Sequence, residues 1–410
     1  MKNGTKEAAS GRVRIAVYGG SFNPPHAGHR NAALCAARRL KPDKLLIIPD
    51  FQAPHKDMGA LTPAPEQRLE LCSLAFAGVP AAEVSDLEIR RGGKSYTSDT
   101  LRALETAYPG AELWLLVGAD MLETLETWHE ADYILSHARI GAFARAAGQT
   151  RAMEDAARAL KKKHGVEVRL LPLKPVTAAS SQIRRALRFR GGLGLLSGRV
   201  YAYIVRNRLY GVRVNFQWLR KRGYAMLKPH RVPHVQGCEE EAVRLAKRWG
   251  ADPDKAAEAA ILHDCTKKEP LPEQLRLCEK YGIIPDAVEQ VNGKLLHAKT
   301  GAAIAEREFG MCPEVVSAIR WHTTGRPGMT LLEKIMYMAD YIEPTRDFPG
   351  VEPLRALAYS DLDRAMLLGL EMSLEDIRSR GEEPHTDSLT AVQWFAQAVG
   401  ARQAAQDGPA

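Results

Sequence analysis

Short apolar runs alternate with amphipathic stretches through the first half of the chain. The apolar runs, rich in β-branched residues, span residues 13–18, 44–49, 113–117 and 166–171. Unbroken runs of this length are typical of strands that are buried on both faces, as in parallel sheets. The helices predicted between them span residues 30–40, 65–76 and 97–107. Strand and helix in turn predict an α/β, doubly wound (Rossmann-like) parallel sheet, whose ligand crevice lies beyond the carboxyl ends of the strands.

Helical periodicity replaces the strand runs from about residue 227 onward. Apolar residues recur there at three- and four-residue spacing over residues 238–249, 253–262, 300–308, 313–321, 331–342, 362–377 and 387–399. We therefore expect an all-α second domain. The predicted division is a first domain over residues 12–210, a basic linker over 211–227, a second domain over 228–400, and flexible tails at 1–11 and 401–410.

Composition fits two globular domains, because 410 residues exceed what one hydrophobic core usually organises. No apolar run approaches the roughly 20 residues that span a bilayer, and the start lacks the apolar core of a signal peptide. The six cysteines show no disulfide-framework spacing. We expect a cytoplasmic protein without a membrane partner. The net charge of +8 suits phosphorylated small molecules as well as nucleic acid, and the absence of nucleic-acid-binding motifs argues against the latter.

The first strand ends in a glycine-rich segment, residues 19–29, that reads GGSFNPPHAGH. A buried strand that ends in two glycines and opens into a helix exposes backbone N–H groups beside a positive helix end, which attracts phosphate. His26 and His29 lie three residues apart and face the same side, so both imidazoles can donate to one anion. A glycine pair alone would be explained equally well by a tight strand-to-helix turn.

This segment resembles the signature of bacterial nicotinate-nucleotide adenylyltransferases. Further blocks in that family's order are PHK at 54–56, SYTSDTL at 95–101, GAD at 118–120, WH at 128–129 and SSQIR at 180–184. The chain departs from the family pattern at residues 145–147 and 178–179, which concerns fine geometry. The resemblance implies in-line transfer of adenylyl from ATP to nicotinate mononucleotide, with Mg²⁺ on the triphosphate, release of pyrophosphate, and His26 and His29 as catalytic residues.

The same resemblance implies two sets of binding residues. ATP would be held by Gly19, Gly20, Ser21, Phe22, His26, His29, Gly118, Asp120, Ser180, Ser181 and Arg184. Nicotinate mononucleotide would be held by Asn23, His55, Lys56, Thr97, Trp128, His129 and Arg145. Taken singly, Ser180 and Ser181 could be a plain helix N-cap and Trp128 a core anchor. A preference for nicotinate over nicotinamide rests on backbone donors, which the sequence does not reveal.

A dispersed set of imidazoles and carboxylates suggests a metal site in the second half. Its members are His234, His263, Asp264, His297, His322 and Asp340. Such ligands suit borderline first-row metals, and a carboxylate between two histidine pairs can bridge two ions. The pattern resembles that of HD phosphohydrolases. An alternative is that these histidines are core residues, and a bare His-Asp pair is usually a surface pair or a helix end.

The flanking residues are similar to those of HD-domain symmetrical bis(5′-nucleosyl)-tetraphosphatases of bacteria. The matching blocks are RVPH at 231–234, HDCTK at 263–267, LHA at 296–298, HTTGR at 322–326 and ADYIEPTR at 339–346. The resemblance implies cleavage of diadenosine tetraphosphate into two ADP, with an Fe²⁺/Fe³⁺ or Mn²⁺ pair shared through Asp264. Asp264 and Lys267 would be catalytic, and Lys267, Arg326 and Arg346 would meet the polyphosphate. The open alternatives are another nucleotide substrate, or a domain that only senses nucleotides; a homo-oligomer is also possible.

Overall fold

The computed structural model describes residues 12–54, 58–144, 148–173, 176 and 178–406. The chain divides between Arg213 and Val214 into two compact units, and each is described by itself. Among the described residues, no helix is both long and apolar enough to cross a membrane.

The first unit is built on a parallel six-stranded sheet in the order β3-β2-β1-β4-β5-β6. Its strands are β1 (Arg14–Gly20), β2 (Lys44–Pro49), β3 (Ala82–Val84), β4 (Glu112–Gly118), β5 (Arg139–Phe143) and β6 (Val168–Leu171). The doubly wound sheet is confirmed. Two strands were not predicted: β3 has only three residues and is partly exposed, and β5 contains Gly141, where a Cβ would lie 2.8 Å from a methyl group of Leu116.

Helices cover both sides of this sheet. They are α1 (Ala27–Leu40), α2 (Pro65–Phe76), α3 (Leu87–Arg91), α4 (Thr97–Ala107), α5 (Ala119–Glu123), α6 (Ala131–His137), α7 (Thr150–His164), α8 (Ser180–Leu187) and α9 (Gly198–Arg206). Alternate residues of the central strand point to opposite faces, so that Ile15 and Val17 join one buried layer while Ala16 and Tyr18 are buried on the other. Burial on both faces explains why the strand sequences are continuously apolar.

The described residues of the second unit form helices and turns without a strand. The helices are α10 (Phe216–Ala225), α11 (Val232–Trp249), α12 (Pro253–Leu262), α13 (Leu271–Tyr281), α14 (Gly293–Arg307), α15 (Pro313–Arg320), α16 (Leu331–Ile342), α17 (Val351–Ser360), α18 (Leu362–Ser379) and α19 (Thr386–Gln406). The all-α second domain is confirmed. Helix α10 occupies most of the expected linker, and its Trp218 and Leu219 are buried, while α19 continues through residues 401–406 of the expected tail.

Candidate functional sites

The carboxyl ends of β1 and β4 open into a cavity of about 1020 Å³. Residues predicted to bind ATP or the mononucleotide line it, namely Gly19, Gly20, Ser21, Phe22, Asn23, His26, His29, Thr97, Asp120, Trp128, His129, Ser180, Ser181 and Arg184. Gly118 ends β4 directly before α5 and is not among the lining residues. His55, Lys56 and Arg145 lie outside the described residues.

The two histidines of the glycine-rich segment lie against each other at the start of α1. Nδ1 of His26 accepts from the backbone N–H of Gly28 at 3.1 Å, and Nδ1 of His29 accepts from the N–H of His26 at 3.2 Å. A neutral ring that accepts at Nδ1 carries its proton at Nε2. The ring centroids are 3.8 Å apart. A Cβ on Gly28 would lie 3.0 Å from the ring of His26, which explains the glycine between the histidines.

Helix α8 is fastened to the loop between β1 and α1. The hydroxyl of Ser180 donates to the carbonyl of Pro24 at 3.1 Å, and the guanidinium of Arg184 donates to the carbonyl of Asn23 at 2.6 Å. The N-cap residue is Ala179, which has no side-chain oxygen, so Ser180 is not a plain cap. These contacts bring the start of α8 to the same end of the cavity as the two histidines.

A buried ion pair, absent from the sequence prediction, joins the loops that follow β1 and β2. Arg68 of α2 lies 2.8 Å from a carboxylate oxygen of Asp50 and donates to the carbonyls of Ser21, Asp50 and Phe51 at 3.0, 2.7 and 3.1 Å. Ser21 donates its hydroxyl to the other oxygen of Asp50 at 2.8 Å. The cavity wall at Ser21 therefore depends on a guanidinium that is itself 1% exposed.

Aromatic and polar residues form a further part of the cavity lining. The rings of Tyr96 and His129 are in contact, with centroids 4.2 Å apart and planes tilted by 35°, beside Thr97 at the start of α4. Glu88, a further lining residue that the sequence did not single out, is buried and accepts from the hydroxyl of Thr100 at 2.6 Å. Burial raises the pKa of Glu88, although that hydrogen bond opposes the shift.

In the second unit, five segments bring the six predicted ligands into one buried cluster. His234 lies in α11, His297 in α14 and Asp340 in α16, whereas His263 and Asp264 follow α12 and His322 follows α15. Helices α12 and α16 pack on each other and on both α11 and α15, and α14 packs on α12 and α15. The packing brings these helix ends together. Candidate ligands that lie more than a hundred positions apart in the sequence therefore become neighbours.

Asp264 lies between two pairs of imidazoles. Its Oδ2 is 3.4 Å from Nε2 of His263 and 3.8 Å from Nε2 of His234. Its Oδ1 is 3.2 Å from Nε2 of His297 and 3.9 Å from Nε2 of His322. Asp340 completes the first group, because its Oδ1 lies 3.0 Å from Nε2 of His234 and 3.8 Å from Nε2 of His263. This is the arrangement that a bridging carboxylate requires.

The outer nitrogens of these rings are tied to other groups, which turns each Nε2 inward. Nδ1 lies within hydrogen-bonding distance of a carbonyl in His263 (Ala260, 2.7 Å), His297 (Lys294, 2.6 Å) and His322 (Ile319, 2.6 Å). Nδ1 of His234 instead faces a carboxylate oxygen of Glu343 at 2.9 Å. Such outer contacts are typical of metal-ligating histidines, because they fix the ring and leave Nε2 as the donor atom.

The ionisation of the cluster also favours a cation. Burial opposes ionisation of Asp264, but His263 and His297 outweigh it and hold the pKa of Asp264 well below its ordinary value. Burial and the neighbouring His263 and His297 hold the pKa of His322 well below its usual range. A charged carboxylate near the neutral imidazole of His322 belongs to the kind of donor set that divalent metals bind.

Basic side chains surround the carboxylates, though not all as predicted. Nζ of Lys267 lies 3.1 Å from Oδ1 of Asp264, and a guanidinium nitrogen of Arg346 lies 2.9 Å from Oδ1 of Asp340. Arg326 pairs with the buried Glu333 at 2.9 Å. Arg231, which was not predicted to act, places Nε 2.6 Å from Oδ2 of Asp264.

Comparison with known proteins assigns both units. A family model described as "Cytidylyltransferase-like" matches residues 17–186, and one described as "HD domain" matches residues 231–345. A "Probable nicotinate-nucleotide adenylyltransferase" of Gemmatimonas aurantiaca is 37% identical over 201 residues, 48% of this chain and 92% of that protein. A "Bis(5'-nucleosyl)-tetraphosphatase, symmetrical" of Bacillus subtilis is 40% identical over 170 residues, 41% of this chain and 91% of that protein.

The chain belongs to both families. We therefore name the first unit the adenylyltransferase domain and the second the HD domain. A Mycoplasma genitalium protein, "Probable nicotinate-nucleotide adenylyltransferase/Ap4A hydrolase", is 27% identical over 369 residues, 88% of this chain and 97% of that protein. The tandem arrangement therefore recurs in another chain. An HD domain binds divalent metal, and the six-residue cluster offers the ligands for it.

Proposed function

We propose that the adenylyltransferase domain transfers adenylyl from ATP to nicotinate mononucleotide. The observation that carries this is the close pair of His26 and His29 at the same end of the cavity as the start of α8. The phosphate oxygen of the mononucleotide attacks the α-phosphorus of ATP in line, the bond to the β-phosphate breaks, and pyrophosphate leaves. The nucleophile is already ionised, so the protein contributes placement and charge stabilisation rather than a base.

In this mechanism His26 and His29 donate from Nε2 to the phosphate oxygens on which charge accumulates. Ser181 and Arg184 bind the β- and γ-phosphates, with Ser180 holding α8 in place, and Mg²⁺ would neutralise triphosphate charge. Trp128 and Thr97 bind the pyridine ring and carboxylate of the mononucleotide. Its phosphate is bound by His55, Lys56 and Arg145. Gly118 and Asp120 lie on the adenosine side. Because both substrates are intracellular metabolites, we place this reaction in the cytoplasm.

The test is pyrophosphate release by purified His29→Ala protein. Loss of a charge-stabilising donor lowers kcat by about 10²–10³-fold. His137→Ala, at an exposed histidine of α6, is the matched control and should turn over normally. Normal turnover by His29→Ala would refute the assignment. Nicotinamide mononucleotide, offered in place of the nicotinate form, measures the preference for the carboxylate.

For the HD domain we propose symmetrical hydrolysis of diadenosine tetraphosphate into two ADP. The observation that carries it is Asp264, whose two oxygens each face a pair of imidazole Nε2 atoms. An Fe²⁺/Fe³⁺ or Mn²⁺ pair, when bound, supplies Lewis-acid catalysis and lowers the pKa of water. His234, His263, Asp264 and Asp340 would hold one ion, and His297, His322 and Asp264 the other.

The remaining side chains serve the substrate. Lys267 and Arg346 lie beside the two carboxylates and are the cations placed to bind the polyphosphate. Arg231 adds a third, while Arg326 can join them only by leaving Glu333. In hydrolysis water adds to one of the two central phosphorus atoms, and the bridging oxygen leaves with the second ADP.

The test is the product pattern of protein loaded with Fe²⁺ or Mn²⁺. Chromatography should show ADP alone from diadenosine tetraphosphate, and His297→Ala should abolish it, whereas the exposed His230→Ala should not. Formation of ATP and AMP would contradict symmetrical cleavage. Cleavage of a different nucleotide alone would favour another substrate, and metal content below one ion per chain would favour a domain that only senses nucleotides.

A further inference from the structure

A cysteine that the proposed metal ligands do not include lies within the HD-domain cluster. Cys238 is one turn after His234 in α11, and it is fully buried. Its Sγ lies 3.3 Å from Nε2 of His234 and 3.9 Å from Oδ1 of Asp340. One donor atom from each of His234, Cys238, His263 and Asp340 can be chosen so that all lie within 4.8 Å of one another. The sulfur therefore shares the space in which a cation would lie.

The separations are those expected between ligands of a common ion. Metal–nitrogen and metal–oxygen bonds of about 2.0–2.2 Å and metal–sulfur bonds of about 2.3 Å in a five-coordinate ion place neighbouring donors roughly 2.8–3.9 Å apart. The four measured edges are 3.0 Å (His234–Asp340), 3.3 Å (His234–Cys238), 3.8 Å (His263–Asp340) and 3.9 Å (Cys238–Asp340). A sulfur ligand would need only small adjustments.

Hydrogen bonding within the described residues satisfies this group of atoms only in part. Arg346 donates to Oδ1 of Asp340 at 2.9 Å, and the single thiol proton of Cys238 can serve only one of Nε2 of His234 and Oδ1 of Asp340. If the single proton of a neutral His234 ring lies on Nδ1 toward Glu343, its Nε2 and Oδ1 of Asp340 face each other as two acceptors. Nε2 of His263 is completely buried and has no hydrogen-bond partner among the described residues. A buried nitrogen lone pair without a donor is costly, and a cation among these atoms would remove the cost.

We propose that Cys238 supplies a fifth, sulfur ligand to the ion that His234, His263, Asp264 and Asp340 would hold. This rests on the metal binding of the proposed function and adds a ligand to it. On coordination the thiol loses its proton to solvent and the thiolate forms the bond to the metal. A sulfur ligand favours borderline and soft divalent cations such as Fe²⁺, Co²⁺, Zn²⁺ and Cd²⁺ over Mn²⁺.

The neighbouring Cys265 does not share this role. Although it follows Asp264 in the chain, its Sγ is directed toward the carbonyl of Gly301 at 3.9 Å. It belongs to none of the candidate metal groups in the described part of the chain. The proposal therefore concerns one thiol, which permits a clean comparison of variants.

The experiment is a Co²⁺ titration of the metal-free full chain followed by absorption spectroscopy. We expect visible cobalt bands together with a near-ultraviolet sulfur-to-cobalt charge-transfer band. Cys238→Ser and Cys238→Val should keep the visible bands and lose the charge-transfer band. Cys278→Ser, at a buried cysteine of α13, is the matched control and should keep both. Retained Mn²⁺ binding by Cys238→Ser, with weakened Cd²⁺ binding, would show that the variant is folded and has lost a soft ligand.

The outcomes separate this inference from the proposed function. If the charge-transfer band persists in Cys238→Ser, the sulfur ligand is overturned while the metal site stands. The same holds if the parent protein shows the visible cobalt bands but no charge-transfer band. A chain that binds no Co²⁺ would overturn both. If the protein shows the charge-transfer band but does not cleave diadenosine tetraphosphate, the sulfur ligand is supported and the proposed substrate is refuted.

Discussion

Oδ1 of Asp264 lies 3.2 Å from Nε2 of His297, across the junction between the end of α12 and helix α14. The other oxygen of Asp264 faces His263 at 3.4 Å. One carboxylate thus joins the two halves of the cluster. Because each proposed ion would depend on it, Asp264 is the residue whose loss should affect both at once.

Asp264→Ala should reduce metal content below one ion per chain and abolish hydrolysis of diadenosine tetraphosphate, while adenylyl transfer continues. The metal-free variant should also lose about 1–3 kcal/mol of stability, because Arg231, Lys267 and the buried His297 lose the carboxylate that they contact. Elemental analysis and chemical unfolding measure the two effects. Asp376→Ala removes an exposed carboxylate paired with Arg380 at 3.3 Å and should cost less than about 1 kcal/mol. Unchanged or increased stability of Asp264→Ala would instead favour core histidines.

The sequence predicted the six residues that meet in the cluster, but not the residues that orient them. Glu343 contacts His234 although 109 positions separate them, and only the packing of α11 on α16 brings them together. Cys238 was visible as the residue four after His234, yet helical spacing alone does not show that both face Asp340. Arg68 was likewise hidden, because a charged residue in an amphipathic helix is usually exposed, whereas here it is buried against Asp50.

Local signals predicted several of the long elements, although helices α13 and α17 were not predicted. Strand β2 and helices α2, α4, α12 and α16 have the predicted boundaries. Apolar spacing marks all four helices, with a proline at the start of α2 and α12 and a side-chain cap at α12 and α16. Strand β3 depends on pairing with β2, and α10 depends on burying Trp218 and Leu219. Tertiary contacts form these elements, so local patterns underestimated them.

Gly237→Ala should weaken metal binding, because it displaces Glu343, whose carboxylate contacts Nδ1 of His234. A Cβ on Gly237 would overlap a carboxylate oxygen of Glu343 and lie 3.3 Å from its Cδ, so the carboxylate must move away. We expect a loss of about 1–3 kcal/mol in stability from the forced shift, together with lower metal affinity. Isothermal titration with Mn²⁺ and chemical unfolding measure these. At Gly293 a Cβ would meet Leu271 at 3.7 Å, so Gly293→Ala is the control. Equal metal affinity in both variants would contradict this role of Glu343.

Glu88→Gln should stabilise the adenylyltransferase domain at neutral pH. Burial raises the pKa of Glu88 above the ordinary 4.5, so the folded domain binds that proton more tightly than the unfolded chain. The stability of the parent therefore falls as pH rises from about 4.5 through the raised pKa of Glu88. A glutamine at this position does not ionise, so it avoids that loss, and its amide oxygen can still accept the hydrogen bond from Thr100. The advantage of Glu88→Gln should vanish near pH 4 and reach a plateau at higher pH.

The measurement is urea unfolding from pH 2 to 8, following the transition that ATP shifts. Glu130→Gln gives a control of opposite sign, because hydrogen bonding to Arg102 lowers the pKa of Glu130 to about 2. The parent's advantage over that variant should be present above pH 4.5 and decline as pH falls toward 2. A pH-independent difference between the parent and Glu88→Gln would contradict the shift at Glu88.

Arg68→Met should destabilise the adenylyltransferase domain and also misplace its phosphate-binding loop. The guanidinium bonds the carbonyl of Ser21 and both the carboxylate and carbonyl of Asp50, so its removal leaves a buried carboxylate with Ser21 as its remaining partner. Breaking a buried pair in this way costs about 3–5 kcal/mol. Arg102→Met, which breaks an exposed pair with Glu130, should cost less than about 1 kcal/mol.

Kinetics distinguish the positioning role of Arg68 from mere stability. At a temperature where the variant is fully folded, displacement of Ser21 should lower kcat and raise the KM for ATP, while Arg102→Met leaves both unchanged. Arg68→Lys should recover part of the stability, because it restores a cation, but not the rate, since one ammonium cannot bond three carbonyls and a carboxylate in fixed directions. Parental kinetics in folded Arg68→Met would show that Arg68 acts on stability alone.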